Sequence, residues 1–203
     1  MLARPIQKLI EVFTRLPGVG PKTAERFAIH LLKSGRGEVT RLEKALEELL
    51  QNIRSCELCH NFSDMTPCEI CSDTKRDHAL VCVVAEPQDV IAIEKTESFG
   101  GVYHVLRGLI DPLRDTGIEQ MKIPELLARV RTDGVREIIF ALDPTIEGET
   151  TVQYISAQLR GSGASLSKLA TGIPSGGSIE YADEITLGSA LKARQKIENA
   201  TGS

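Results

Sequence analysis

Four cysteines carry the plainest chemistry in this sequence. Cys56-x2-Cys59 and Cys68-x2-Cys71 form two pairs separated by eight residues. Each Cys-x-x-Cys turn delivers two thiolates to one place, and two such turns complete the tetrahedral sulfur shell that Zn2+ takes at about 2.3 Å per bond. Protein ligands then fill every position, leaving none for a substrate or an activated water. The expected role is structural: one ion per chain, tying down a segment with few apolar residues of its own. Two disulfides, a redox Cys-x-x-Cys and an iron–sulfur cluster compete with this reading. Disulfides are disfavoured in a cytosolic chain, and a redox pair needs no twin. His60 and His78 could substitute as ligands, although four cysteines suffice. Cys82 falls inside an apolar run and reads as core.

A second constellation is Leu16-Pro17-Gly18-Val19-Gly20-Pro21-Lys22-Thr23-Ala24, set between two amphipathic stretches. Gly18 and Gly20 permit backbone angles closed to other residues, and Pro21 suits the first turn of a helix, where its missing N–H costs nothing. The backbone N–H groups of such a hairpin, with Thr23 among them, face outward and suit a phosphate. Lys22 and, one helical turn later, Arg26 add positive charge to the same face. Contacts of this kind read the backbone rather than the bases, so binding is expected to be sequence-nonspecific and salt-sensitive. The string matches the helix-hairpin-helix pattern of DNA repair proteins; the bland alternative is a plain αα-turn.

The third constellation is acidic. One apolar run ends in Glu86, and a later one ends in Asp143-Pro144-Thr145-Ile146-Glu147. Carboxylates at the carboxyl ends of parallel strands stand in the crevice where such folds bind ligands, and Glu86, Asp143 and Glu147 together would make an oxygen site suited to Mg2+. The arrangement resembles the Toprim domain of type IA topoisomerases, primases and some nucleases, which pairs a glutamate with an Asp-x-Asp-x-Glu run. Here Thr145 replaces the second Asp, which weakens metal affinity and removes charge compensation from two-metal chemistry. Tyr103, Tyr154 and Tyr181 have no context that marks a nucleophile. Helix capping and partner binding are the competing roles for the three carboxylates.

These residues need elements to position them. The 203 residues suit one medium domain or two small ones. Apolar residues make up 41%, aromatics 4%, and Trp is absent, so Leu, Ile, Val and Ala must build the core. No apolar run approaches the roughly 20 residues of a membrane span, and no signal-peptide pattern opens the chain; a soluble, cytoplasmic protein is expected. Net charge is −4, yet residues 1–54 hold ten Lys and Arg against six Glu. A basic end on an acidic body fits a nucleic-acid partner, and an ordinary solvated helical surface fits it equally.

Helical periodicity runs through Ile6, Leu9, Ile10 and Phe13, then Ala24, Phe27, Ala28, Leu31 and Leu32, then Leu42, Ala45, Leu46, Leu49, Leu50 and Ile53. Continuous apolar runs at 80–85 and 136–142 predict strands buried on both faces, with a further strand at 165–170. Helices are expected around 89–95, 103–110, 124–130 and 150–159, a loop over 172–177, a last helix over 186–198 and a disordered tail at 199–203. Strands alternating with helices predict a parallel sheet covered by helices. The fold class is thus α/β in several parts: a helix-hairpin-helix region (1–54), a small four-cysteine zinc motif (55–78), a Toprim-like parallel α/β domain (79–172) and a C-terminal helical arm (173–203).

In this order the parts resemble the RecR family of bacterial recombination mediators over essentially residues 2–198. The strings that carry the resemblance are residues 16–26, Cys68-Glu69-Ile70-Cys71-Ser72-Asp73, residues 81–89, Tyr103-His104-Val105-Leu106, and residues 172–187. Asp143 departs from the family, where Asn is common, and leaves weak Mg2+ affinity open. The resemblance implies a non-enzymatic DNA-binding protein of DNA repair. It implies a dimer or ring-like tetramer able to encircle DNA. It also implies partnership with RecO, and in many bacteria RecF, in loading RecA onto single strands coated by single-stranded-DNA-binding protein. By the same resemblance Lys22 and Arg26 contact phosphates, the N-terminal regions form one subunit interface and the C-terminal regions another, and the face around Glu86 and Glu147 binds a partner. The segment near Asp183 resembles a Walker B-like motif, but no Gly-x-x-x-x-Gly-Lys-Ser/Thr loop accompanies it. The alternative function is a Mg2+-dependent Toprim nuclease or nucleotidyl transferase.

Overall fold

The computed structural model describes residues 2–113 and 118–195. The chain divides into two compact units, Met1–Ile53 and Arg54–Ser203.

The first unit is helical. Helix α1 (Arg4–Thr14) carries a proline in its first turn, and its apolar stripe packs on α2 (Pro21–Ser34). Phe13 meets Phe27 edge to face, ring centroids 5.8 Å apart. Ala24 and Ala28 of α2 are fully buried; lacking bulk, they let the helices approach closely. Between the helices Gly18 adopts φ +75°, which favours glycine, whereas Gly20 lies at φ −80° and ψ 168°. The expectation that both glycines exploit forbidden angles therefore holds for Gly18 alone; Gly20 sits in extended backbone open to any residue. Helix α3 (Arg36–Asn52) follows after Gly35.

The second unit opens with a short antiparallel ribbon, β1 (Arg54–Ser55) with β2 (Phe62–Ser63), and the single-turn helix α4 (Glu69–Ser72). Four parallel strands follow: β3 (Asp77–Val84), β4 (Gly101–Val105), β5 (Glu137–Ala141) and β6 (Ser165–Lys168), in the order β4-β3-β5-β6. Helices α5 (Pro87–Glu94), α6 (Ile123–Thr132) and α7 (Ile146–Gln158) connect them. Alternate residues of β3 enter different clusters. Val81 and Val83 join Leu106, Leu126, Ile138, Phe140 and Ile155, while Cys82 and Val84 join Val90, Tyr103 and Val105. Apolar cover on both faces explains why the run reads without polar alternation. Cys82 is core, as its place in the run suggested.

A further expectation fails. Residues 103–110 are not helical: they open as β4, paired residue for residue with β3 from Cys82↔Tyr103 to Val84↔Val105. All five residues of β4 are buried. A short segment apolar on every side has no period by which to tell strand from helix, and the sheet decided. Helix α7 begins at Ile146, earlier than expected, because Thr145 caps it. The last helix, α8, is Glu184–Lys192; residues 196–198 of the expected helix and the tail 199–203 lie outside the described residues.

Candidate functional site

Among the described residues, the ligand atoms of Cys56, Cys59, Cys68 and Cys71 form the one group of three or more His, Cys, Asp or Glu within 4.8 Å of one another. All four cysteines are buried and free of disulfides. Sγ of Cys59 lies 3.6 Å from Sγ of Cys68, close to the about 3.8 Å edge of a tetrahedron with zinc–thiolate bonds. The amide of Cys68 donates to Sγ of Cys56 at 3.3 Å, the type of bond that supports a thiolate ligand. Hydrogen bonding among the thiols pulls Cys68 down to about 2 and pushes Cys59 up to about 12, and Cys71 is likewise pushed up. A bound dication would hold all four as thiolates. The donor set fits Zn2+ in a structural site. Neither histidine joins it: the His78 ring bonds the carbonyl of Asp73, and the His60 ring packs edge-on to His104.

The knuckle is docked on the sheet. The amide of Val105 in β4 donates to the carbonyl of Cys59 at 2.8 Å, so the first Cys-x-x-Cys turn meets the outer edge of the sheet at the end of β4. Arg107, at φ 65°, places its guanidinium 3.7 Å above the Phe62 ring and donates to the carbonyl of His60. Arg129 donates to the carbonyls of Tyr103 and Leu58. At the other end of the zinc motif Arg76 forks onto Glu94 of α5, which also accepts from the Tyr103 hydroxyl at 2.6 Å. Sequence spacing offered no signal for Arg76, Arg107 or Arg129, whose partners lie far along the chain.

In the first unit, no side chain caps the N-terminus of α2, where Gly20 stands at the cap position and Pro21 in the first turn. Its leading N–H groups therefore lack intrahelical partners. Gly18, Gly20, Lys22 and Arg26 are exposed at this end, and Thr23 is half-buried beside them. The expected phosphate-binding residues thus share one helix terminus.

The acidic residues gather at the carboxyl end of the parallel sheet without converging. Val84 of β3 pairs with Ala141 of β5, so Glu86 and Asp143 each stand two residues beyond matched strand ends. Chain progression reverses between these strands, which makes this the crevice of the fold. Yet Glu86 caps α5: its carboxylate accepts from the amide of Asp89, whose carboxylate accepts from the amide of Glu86 at 2.8 Å. Glu147 lies in the first turn of α7. Thr145, the departure from the acidic pattern, accepts from the amide of Gly148 at 3.2 Å as the cap of α7. Glu86, Asp143 and Glu147 form no second ligand group among the described residues. Gly148, which spacing did not mark, is required by space: a Cβ there would stand 2.0 Å from the carbonyl oxygen of Asp143.

Beside the crevice, a cavity of about 670 Å³ is lined by Asp143, Lys168, Thr171 and Thr186 among others, with Lys168 paired to Glu149 at 2.8 Å. Asp183 spends its carboxylate on capping α8, accepting from the amides of Ile185 and Thr186 and from the Thr186 hydroxyl. These bonds, led by that hydroxyl, hold its carboxyl below its usual range. Tyr103 is buried with its hydroxyl bonded to Glu94, and burial pushes that hydroxyl well above its usual range.

Known proteins match the chain part by part. A model of the RecR helix-hairpin-helix matches residues 6–50, the RecR four-cysteine zinc finger domain 53–73, the Toprim domain 79–170, and the RecR C-terminal segment 172–195. Recombination protein RecR of Bifidobacterium longum subsp. infantis is 47% identical over 191 residues, covering 94% of this chain and 96% of the relative. Those of Saccharopolyspora erythraea and Gloeobacter violaceus are 46% and 48% identical, each covering 97% of this chain and 100% of the relative. Four matched parts in this order, with relatives alike from end to end, show that the chain belongs to the RecR family of recombination-repair proteins.

Proposed function

We propose that this chain is a sequence-nonspecific DNA clamp that acts without turnover, partners RecO (with RecF as a second candidate), and loads RecA onto single-stranded DNA at gaps. The observation that carries it is the uncapped, glycine-led N-terminus of α2 with Lys22 and Arg26 exposed on its first turns. Backbone N–H groups and two cations offer a phosphate ligands without reading a base. Gly18, Gly20 and Thr23 shape that terminus. The division into DNA-binding (1–54), zinc (55–78), Toprim (79–172) and C-terminal (173–203) parts follows the same reading, and no described helix is long and apolar enough to cross a membrane.

Assembly into a dimer or tetrameric ring is supported by apolar residues left open in both terminal parts. A groove of about 510 Å³ in the first unit is lined by Ile6, Leu9, Leu31, Leu42 and Leu46. In the C-terminal part Tyr181 and Ile185 are 85% and 82% exposed. The acidic crevice around Glu86, Asp143 and Glu147 suits a basic partner surface, with weak Mg2+ binding as its other use. Turnover is argued against by Thr145 and by the engagement of Glu86 as a cap.

A gel-shift series on labelled gapped DNA, with and without Mg2+ or Mn2+, tests this reading. Salt-sensitive shifting of uncut DNA, lost in the Lys22→Glu/Arg26→Glu variant, is expected. Metal-dependent nicking abolished by Glu86→Ala would overturn it in favour of a Toprim nuclease or nucleotidyl transferase.

A further inference from the structure

Three successive peptide carbonyls of the first Cys-x-x-Cys turn accept hydrogen bonds from the Toprim domain. Arg129 Nη1 donates to Leu58 at 3.3 Å, the Val105 amide to Cys59 at 2.8 Å, and Arg107 Nε to His60 at 2.8 Å. Arg107 also stacks on Phe62 and reaches Oγ of Ser55 at 3.4 Å, so one side chain grips both strands of the ribbon. Its position is held by backbone bonds on either side, from Leu106 to Val84 and from Gly108 to Ala85.

The counter-charges that the protein itself offers this cluster stand off rather than touch. Arg129 is 9% exposed, and its ion-pair partner, Asp133, stands off at 3.7 Å with a half-exposed side chain. A guanidinium so withdrawn from water needs negative charge nearby. Four thiolates around Zn2+ make a doubly negative cluster, which two guanidinium groups would neutralise.

We propose that Arg107 and Arg129 are positioning residues of the zinc centre, fixing the Leu58 and His60 carbonyls and supplying the two cations that balance a four-thiolate zinc cluster. A guanidinium on a peptide carbonyl polarises that peptide and strengthens its N–H as a donor, here in the turn that carries Cys59. Zinc and the β4 edge then stabilise one another reciprocally, since whatever tightens one tightens the other. The inference concerns the zinc centre alone and stands whether or not the chain binds DNA.

The test is zinc affinity of the full chain, read by competition with a chromophoric chelator. Loss of a partner just outside the ligand shell typically weakens metal binding by about 10- to 100-fold, and that range is expected for Arg107→Met and Arg129→Met. Arg107→Lys keeps the charge but not the stack and should recover part of the loss. Arg136→Met, which breaks the surface pair with Asp77 at 2.7 Å, should leave zinc affinity unchanged. In the unaltered protein, stripping zinc should accelerate hydrogen exchange at the Val105 amide more than at the amides pairing β3 with β5. If Arg129→Met does not fold, the partly exposed Arg107 carries the test. Zinc affinity equal to wild type in both Arg107 variants overturns the proposal.

Discussion

Helix α3 of the first unit buries none of its seventeen residues, whereas strand β4 of the second buries all five. Both segments carry apolar side chains. In α3 these residues repeat at helical spacing yet stay open, with Leu46 54% and Leu50 83% exposed. In β4 they are covered by helices on both faces, and the first Cys-x-x-Cys turn meets the end of the strand. The contrast shows two ways for small parts of a chain to gain stability. A short helical unit with only Ala24 and Ala28 fully buried among its described residues has too little interior to stand firmly alone. Its apolar surface suits assembly with other chains. The second unit supplies its own cover and adds a metal clip.

The largest expected effect tests the clip. Cys56→Ser/Cys71→Ser, or removal of zinc by a strong chelator, should unfold the ribbon and expose the end of β4, because zinc binding contributes folding free energy directly. A fall of many degrees in the melting temperature is expected, with the helical signal of the first unit largely kept. An unchanged melting curve would mean that the sheet needs no cover at that edge.

Core truncation sharpens the contrast between the units. Leu126→Ala, in the fully enclosed cluster of the Toprim domain, should cost about 2–5 kcal/mol. Leu46→Glu/Leu50→Glu in α3 should change the fold of the isolated chain little and abolish self-association, as read by sedimentation. Loss of helix without loss of association would show that these residues are interior after all.

Gly148→Ala comes next. The added methyl must displace the Asp143 carbonyl, and strain from such overpacking is typically about 1–3 kcal/mol. The crevice should be distorted at Asp143 while the zinc site is untouched, so chemical shifts should move around β5 and not around Cys56. Wild-type stability in this variant would show that the turn yields freely.

The smallest effect is a pH dependence. The Arg76 guanidinium, assisted by the Tyr103 hydroxyl, holds the Glu94 carboxyl below its usual range. A depressed carboxyl stabilises the fold fully above its unfolded value, about 4.3, and loses that contribution as pH falls through the folded value. Acid unfolding of Glu94→Gln should therefore be shallower than that of wild type below that pH, with the two alike in slope at neutral pH. Parallel acid limbs would show that the pair contributes nothing across the zinc–α5 contact.

Much of the site was legible in the sequence wherever one turn of chain carries the information. Cys-x-x-Cys delivers its sulfurs locally, and both pairs meet as spacing implied. Pro21 in the first turn of α2 follows from its own ring, as does the use of Gly18 at positive φ from its missing side chain. Residues 103–105 give no sign of their strand in the sequence, because a strand buried on every side leaves no alternation to read. Thr145 looked like a lost ligand and is also a helix cap, a role that depends on where Gly148 stands.

The sequence by itself determined which atoms could bind a metal or a phosphate, and the order of the parts that hold them. Those properties depend on residue type and on spacing within a few positions. Only the tertiary structure decided that β4 is an edge strand met at its end by the first Cys-x-x-Cys turn, and that Arg107 bonds His60 from 47 residues away and Arg129 bonds Leu58 from 71. It likewise decided that Glu86 turns to cap its own helix rather than face Asp143 and Glu147 at ligand distance. Sheet order and docking set these contacts, and both arise from burial summed over the whole unit, which no local pattern encodes.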